Sequence, residues 1–153
     1  MDVVSLGDIF VTPLKRIKTE GGDVMHALKK SDHRYNGFGE VYFSWVEQGA
    51  IKAWKCHQRM TLNLVVPMGE VRFIFHCEAS SEEQKNKHSN EFRIEILGND
   101  SYSLLTVPPG IWFGFQGLAS GSSLLMNVAD MEHDPNEVLH KSVSDFSYDW
   151  SLN

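Results

Sequence analysis

Eight short apolar segments, recurring about every ten residues, constrain the fold of this chain more than any other feature. They are rich in β-branched and aromatic residues, and Gly, Pro, Asn, Asp or Ser separates most of them. The segments are VYFSWV (41–46), AIKAWKCH (50–57), LNLVVP (62–67), VRFIFHC (71–77), FRIEIL (92–97), YSLLTVP (102–108), IWFGFQGL (111–118) and SLLMNVA (123–129). This spacing is typical of a β-sandwich or β-barrel, and nothing between the segments supplies the helices of a parallel α/β fold.

The composition is that of one globular domain. A chain of 153 residues builds a single core, so we expect one domain over residues 1–153. The net charge of −6 argues against a nucleic-acid-binding protein, which needs a basic face to neutralise phosphates. A local basic pocket for a phosphorylated small molecule is compatible with that charge.

The sequence also predicts a cytoplasmic location. Cys56 and Cys77 form no Cys-x-x-Cys pair, so we expect free thiols. The first residues, MDVVSLGDIFVTPLKRIKTEGG, lack the apolar core of a signal peptide. No apolar run approaches the roughly 20 residues of a membrane span.

Three segments outside the strands carry further predictions. SSEEQKNKHSN (80–90) is polar throughout and predicts a surface loop. MEHDPNEVLHKSV (131–143) predicts a short C-terminal helix, with Asp134 as its cap and Pro135 at its first position. The tail DFSYDWSLN carries three aromatic residues, and we expect it to pack against the body or a second subunit.

Lys55 and His57 are the residues that most directly suggest a site. Residues i and i+2 of a strand share a face, so these two side chains project together. The residues between and beside them, Trp54 and Cys56, face the other way. The face of Lys55 and His57 is also predicted to include Ala53 and Ile51.

The spacing around these residues resembles that of cupins, which are small double-stranded β-helix (jelly-roll) barrels. The first cupin motif is Gly-x5-His-x-His-x4-Glu-x6-Gly. In this chain it reads Gly49-x5-Lys55-x-His57-x4-Leu62-x6-Gly69. Lysine therefore stands in the first histidine position and leucine in that of the glutamate.

In the second cupin motif the turn residues are present, but the histidine that would bind a metal is replaced. Pro-x-Gly-x-x-His reads PPGIWF at 108–113, with Phe113 in the histidine position. Three of the four metal ligands of cupins are thus absent, and stable metal sites use three or four ligands. We therefore expect no bound metal and no cofactor.

Within the cupins, the chain resembles the dTDP-4-dehydrorhamnose 3,5-epimerase-like proteins over about residues 40–140. VPPGIWFGFQGL resembles that family's Ile-Pro-Pro-Gly-x-x-His-Gly-Phe segment, and GAIKAWKCHQ with VVPMGEVRFIF resembles its Arg-Gly-Leu-His-Tyr-Gln segment and the turn beyond. LLMNVADMEHDPNE matches a later strand and an acidic-Pro turn. The resemblance implies an all-β jelly roll, a nucleotide-sugar ligand, and a homodimer whose N-terminal strands are exchanged or added at sheet edges.

The catalytic positions of that family are altered here. In the epimerases a histidine removes the proton next to a ketone, a tyrosine after the later strand returns one from the other face, and a lysine assists the enolate. An ungapped alignment places Lys55 at the base position, and a shift of two residues places His57 there. The family's Thr-Asp-Tyr-Tyr reads ADME at 129–132, so its tyrosine is missing.

The remaining residues still suit proton abstraction beside a carbonyl. Such a reaction needs a base that is effective near neutral pH and an electrophile for the enolate oxygen. We predict His57 as the base and Lys55 as the enolate stabiliser. Residues predicted to bind substrate, by arginine–diphosphate, polar or aromatic contacts, are Arg59, Asn63, Arg72, His76, Trp112 and Phe115.

Two functions follow from these observations. The first is a metal-independent epimerase or isomerase acting on a nucleotide-linked 4-keto-6-deoxy sugar for surface-polysaccharide synthesis. The second is a non-catalytic sugar- or nucleotide-binding cupin that has lost its acid–base pair. The polar groups of the 50–57 strand favour the first. The missing tyrosine and the replacement of a histidine by Lys55 favour the second.

Overall fold

The computed structural model describes residues 3–78 and 91–152, and this part of the chain is almost entirely β-structure. The segment 80–90, predicted as a loop, lies outside the described residues. Two helices, both 3₁₀ and three residues long, are present in the described part, at Leu6–Asp8 and Val143–Asp145. No helix there is long and apolar enough to cross a membrane.

Twelve strands are present among the described residues. They are β1 (Phe10–Pro13), β2 (Arg16–Ile17), β3 (Val24–Met25), β4 (Glu40–Val46), β5 (Ile51–His57), β6 (Leu62–Met68), β7 (Glu70–His76), β8 (Arg93–Gly98), β9 (Ser103–Val107), β10 (Trp112–Gly117), β11 (Ser123–Ala129) and β12 (Val138–His140). Strands β4 to β11 are the eight predicted strands, each within one residue of its predicted ends. The all-β fold class is therefore confirmed.

Ten of these strands form two five-stranded antiparallel sheets that face each other as a jelly roll. The first sheet has the order β1-β9-β6-β11-β4 and the second has the order β12-β5-β10-β7-β8. Strands β2 and β3 form a separate hairpin. The N-terminal strand β1 extends the first sheet by pairing with β9 of its own chain.

The core fills the space between the two sheets. It is built from the inward side chains of both, including Leu64 of β6, Phe73 and Phe75 of β7, and Leu105 of β9. Each is at most 3% exposed. Burial of this apolar surface is the main force that holds the sheets together.

A second apolar cluster covers the outer face of the second sheet. Trp54, Trp112 and Ile74 are buried there beneath the C-terminal tail. Trp150 of the tail lies with its ring centroid 5.3 Å from that of Trp54, and Phe146 packs edge-on against the same ring. The prediction that the aromatic tail packs back on the body is confirmed.

A β-bulge in β5 changes which side chains face the barrel interior. Phe113 of β10 pairs with Lys55, but the next residue pairs with Ala53, so Trp54 is an extra residue in the ladder. Such an insertion reverses the alternation of side chains. Ile51 and Ala53 consequently pack against the outer cluster. The prediction that they share the face of Lys55 and His57 was wrong.

The helix predicted over 131–143 is also not formed. Asp134 does begin a turn, because its Oδ1 accepts the backbone N–H of Asn136 at 2.9 Å and its carbonyl accepts that of Glu137 at 3.1 Å. The chain then enters β12, which pairs with the edge of β5. Pairing with that open edge and burial of Glu137 outweigh the weak local helix preference.

The aromatic tail makes a measurable contribution to stability. We predict that Trp150→Ala lowers the free energy of unfolding by about 3 kcal/mol, because it opens a cavity against Trp54. Urea unfolding followed by far-UV circular dichroism measures the change. Leu152→Ala is the control, since Leu152 is 53% exposed and its loss is expected to cost less than about 0.5 kcal/mol. Equal effects of the two variants would contradict this account of the tail.

Candidate active site

A cavity of about 140 Å³ lies between the two sheets at one end of the barrel. Both of its walls carry polar side chains on an otherwise apolar surface. The second sheet contributes Lys52, Lys55, His57, Phe113 and Phe115, and the first sheet contributes Tyr42, Ser44, Leu62, Leu64, Leu125 and Asn127. Apolar walls with a few converging polar groups are typical of small-molecule sites.

His57 is held by a buried carboxylate behind it. Its Nδ1 hydrogen-bonds Oε1 of Glu137, and its ring stacks on Phe113 with centroids 6.1 Å apart. A carboxylate accepts only, so the proton of the neutral ring resides on Nδ1. Nε2 is then the nitrogen with a free lone pair, which is the protonation state of a general base.

Glu137 is fixed by the backbone of the loop that follows β5. Its Oε2 accepts the N–H groups of Gln58, Arg59 and Met60 at 3.2, 3.1 and 3.2 Å. The side chain is 1% exposed. Burial opposes ionisation, but the hydrogen bonds from His57, Arg59 and Met60 outweigh it and hold the pKa of Glu137 below its ordinary value.

Two lysines place positive charge at the same cavity. Lys55 follows the bulge and Lys52 precedes it, and the reversed alternation brings both to the inner face. Lys52 Nζ donates to the Trp45 carbonyl at 2.9 Å and to Ser44 Oγ at 3.3 Å. Lys52 therefore bridges the two sheets, and Lys55 lines the cavity between them.

The structure brings together three of the eight predicted site residues. His57, Lys55 and Phe115 line the cavity. Arg59 lies on the surface, where its guanidinium pairs with Asp134 at 3.0 Å. The other four residues point away from the cavity and are Asn63, Arg72, His76 and Trp112.

Those four side chains are held elsewhere by their own contacts. Asn63 hydrogen-bonds the Arg34 carbonyl at 3.0 Å and accepts from Thr106 at 2.6 Å on the far side of the first sheet. The remaining three belong to the outer face of the second sheet. There Arg72 donates to the Trp150 carbonyl at 3.0 Å, and His76 and Trp112 both contact Phe146.

Five polar residues of the site were not predicted from the sequence, and one of them is Ser44, which also lines the cavity. Glu137 lay in the segment predicted as a helix, and no sequence signal linked it to His57. Lys52 was assigned no role, because the bulge that turns it inward has no signature in the sequence. Tyr42 and Asn127 face each other across β4 and β11, and the alternation of those strands was a usable signal for them.

Among residues 3–78 and 91–152, no group of three or more His, Cys, Asp and Glu side chains is arranged to hold a metal ion.

Comparison with known proteins finds enzymes that share this fold. No family model matches the chain, and no curated protein matches it. A dTDP sugar isomerase from Desulfovibrio desulfuricans G20 shares 30% identity at a TM-score of 0.84, over 94% of this chain and 90% of that chain.

Two more distant structures share the fold. A sugar 3,4-ketoisomerase from Thermoanaerobacterium thermosaccharolyticum in complex with TDP has 17% identity and a TM-score of 0.71, over 90% of each chain. A dTDP-4-dehydrorhamnose 3,5-epimerase from Bacillus anthracis str. Ames with TDP and pyrophosphate bound has 16% identity and a TM-score of 0.74, over 99% of this chain and 89% of that chain.

The fold and site thus define a cupin barrel whose cavity is lined by His57, with the buried carboxylate of Glu137 behind it. The chain belongs to the nucleotide-sugar epimerase and isomerase family of cupins, the dTDP-4-dehydrorhamnose 3,5-epimerase-like proteins. The predicted family is confirmed, and so is the prediction of an enzyme of the isomerase or epimerase class.

The buried carboxylate predicts a pH-dependent contribution to stability. Because the folded-state pKa of Glu137 is lowered, its contribution is complete above the ordinary value of 4.5 and is lost as pH falls through the folded value. We expect Glu137→Gln to destabilise the protein by about 2 kcal/mol at pH 7. The difference in the free energy of unfolding between the wild type and this variant should decrease as pH falls below 4.5.

Urea unfolding at a series of pH values measures this difference in the free energy of unfolding. Glu132→Gln is the control, because it removes an exposed carboxylate from the same segment and should leave the wild-type pH profile unchanged. The assigned ionisation of Glu137 would be contradicted if the free energies of unfolding of wild type and Glu137→Gln differed by a constant amount down to pH 3.

Proposed function

We propose that the protein is an epimerase or isomerase of a nucleotide-linked keto sugar, in which His57 removes the proton next to the ketone. The observation that carries this proposal is the pairing of His57 Nδ1 with buried Glu137. It leaves Nε2 as a base on the wall of a cavity that Lys55 also lines. A histidine base held in this way argues against the alternative of a binding protein that has lost its catalytic groups.

The first chemical step follows from this geometry. His57 Nε2 accepts the proton from the carbon beside the carbonyl, and the C–H electron pair becomes the carbon–carbon double bond of an enolate. The carbonyl π electrons move to oxygen, where the ammonium group of Lys55 stabilises the negative charge. Glu137 stabilises the imidazolium that forms, as a carboxylate does behind other histidine bases.

The substrate class is supported by the neighbours and by the charge of the site. The relative at 30% identity is a dTDP sugar isomerase, and two structures of the same fold bind TDP. A cavity of about 140 Å³ is below the roughly 300–1,000 Å³ of sites that enclose a drug-sized ligand. We assign it to the sugar ring, with the nucleotide extending from its mouth. A 4-keto-6-deoxy sugar is our proposed substrate.

We place this activity in surface-polysaccharide synthesis in the cytoplasm. Sugar nucleotides for such polymers need the stereochemistry of their keto sugar set before transfer, and an isomerase supplies that step. Cys56 and Cys77 are free thiols, which fits a reducing compartment.

We further propose that the protein is a homodimer that forms through the outer face of β4. Val41, Phe43 and Trp45 alternate along this edge strand and are 47%, 62% and 55% exposed. Met68 of β6, which is 49% exposed, lies across β11 from Trp45. Together they present about 400 Å² of apolar surface, a large part of the roughly 800 Å² that each partner buries in a standard interface. Among the described residues no strand pairs with the outer edge of β4, so this edge is open to a second copy.

Deuterium exchange tests the proposed chemistry. With dTDP-4-keto-6-deoxyglucose in deuterium oxide, the wild type should introduce deuterium at C3 or C5, as measured by NMR. His57→Gln should slow this exchange by about a hundredfold or more, because it removes the base. Lys55→Met should slow it by about a hundredfold, because it removes the charge that stabilises the enolate.

His133→Gln is the control for these variants, because His133 is an exposed histidine of the 131–137 segment, and it should exchange at the wild-type rate. Wild-type exchange in His57→Gln would contradict the assignment of the base. Binding of the nucleotide sugar without any exchange by the wild type would favour the non-catalytic alternative.

Sedimentation equilibrium tests the dimer. Trp45→Glu should convert the protein to monomers at micromolar concentration, because it places a charge within the apolar face. Ile96→Glu is the control and should remain dimeric, since Ile96 is 45% exposed but lies on the other sheet. A monomeric wild type, or dissociation of both variants alike, would contradict an interface on β4.

A further inference from the structure

The wall opposite His57 carries a second group capable of proton transfer. His57 and Lys55 lie on β5 of the second sheet, whereas Tyr42 lies on β4 of the first sheet, and all three line the cavity. A sugar ring held between the sheets therefore presents one face to His57 and the other face to Tyr42. Inversion of configuration at a carbon requires exchange of a proton between two such faces.

Tyr42 is held in this position by Asn127. The two residues are directly opposite each other in the pairing of β4 with β11, and Asn127 Nδ2 donates a hydrogen bond to Tyr42 Oη at 3.0 Å. A phenol that accepts this bond keeps its own proton free to donate into the cavity. The same N–H stabilises the phenolate left after donation.

The cost of Asn127 to the fold supports a functional role. Asn127 is 1% exposed, and its Oδ1 is buried without a hydrogen-bond partner among the described residues. A buried acceptor without a partner costs stability. The amide is therefore a poor choice for packing alone, and the one hydrogen bond that its side chain makes within the described part of the chain goes to Tyr42.

We propose that Tyr42 is the catalytic acid that returns the proton to the enolate carbon from the face opposite His57, and that Asn127 is its positioning residue. This assignment rests on the proposed function and makes the reaction an epimerisation beside the ketone. It also places the acid on β4, whereas the family position at 129–132 lacks a tyrosine.

The step balances within the residues of the site. The enolate electron pair forms the new C–H bond with the phenolic proton of Tyr42, and the oxygen electrons reform the carbonyl. The product has the opposite configuration at that carbon. Tyr42 is left as phenolate and His57 as imidazolium. Tyr42, which is 45% exposed, regains a proton from water, and His57 loses its extra proton to water, so both groups return to their starting states.

Tyr42→Phe separates the two proton transfers. The variant retains His57, so deuterium should still enter the substrate carbon from solvent within a few-fold of the wild-type rate. Net conversion to the epimer should fall by about a hundredfold or more, because the acid is gone. Both rates are read from one reaction with dTDP-4-keto-6-deoxyglucose in deuterium oxide, by NMR of recovered substrate and product.

Two further variants control this experiment. Tyr35→Phe alters a tyrosine that does not line the cavity and should match the wild type in both rates. Asn127→Leu removes the positioning amide and should lower conversion more than exchange, with equal or greater resistance to urea because the unpaired acceptor is removed. Destabilisation of Asn127→Leu with unchanged conversion would show a purely structural role.

The outcomes distinguish this assignment from the proposed function. Wild-type conversion by Tyr42→Phe, or equal loss of exchange and conversion in that variant, would overturn the role of Tyr42 and leave His57 as the base. Absence of both exchange and conversion in the wild type would overturn the proposed function and the role of Tyr42 together.

Discussion

The buried carboxylate of Glu137 is the interaction on which the site depends. It accepts three backbone N–H groups from the loop after β5 and also the ring N–H of His57. One side chain thus fixes the end of β5, the turn before β12 and the protonation state of the base. Removing its partners would leave an uncompensated charge in the interior, which costs several kcal/mol. The hydrogen bonds of Glu137 therefore stabilise the fold and also orient the proposed base.

The bulge at Trp54 is the second constraint on the site, because it determines which side chains of β5 face the cavity and which face the outer apolar cluster. Beyond the bulge, Lys55 and His57 face the cavity while Trp54 and Cys56 face the outer cluster. The large Trp54 ring, packed under the tail, holds the extra residue in place. Strand β5 therefore supplies two lysines to the cavity on one face and, through Trp54, holds the C-terminal tail on the other.

The eight central strands were predictable because turn residues and apolar runs are local signals, whereas the site depended on contacts between distant segments. The alternation of β5 placed Lys55 and His57 together, but the bulge that brings Lys52 to them is invisible in the sequence. Arg72 and His76 were assigned to the pocket because alternation gives two faces without saying which one is inner. Both faces of β7 are buried here, since the tail covers the outer one. Glu137 was missed because its turn carries helix-like caps, and its partners are 77 to 80 residues away.

To act as the base, neutral His57 must carry its proton on Nδ1 and present Nε2 to the substrate. Nitrogen-15 NMR of the histidine rings at neutral pH reads this directly. For neutral His57 we expect a protonated Nδ1 that exchanges slowly with water, and an Nε2 with the chemical shift of an unprotonated ring nitrogen. A proton on Nε2, or the rapidly averaged shifts of a solvent-exposed ring, would contradict the assignment of His57 as a base held by Glu137.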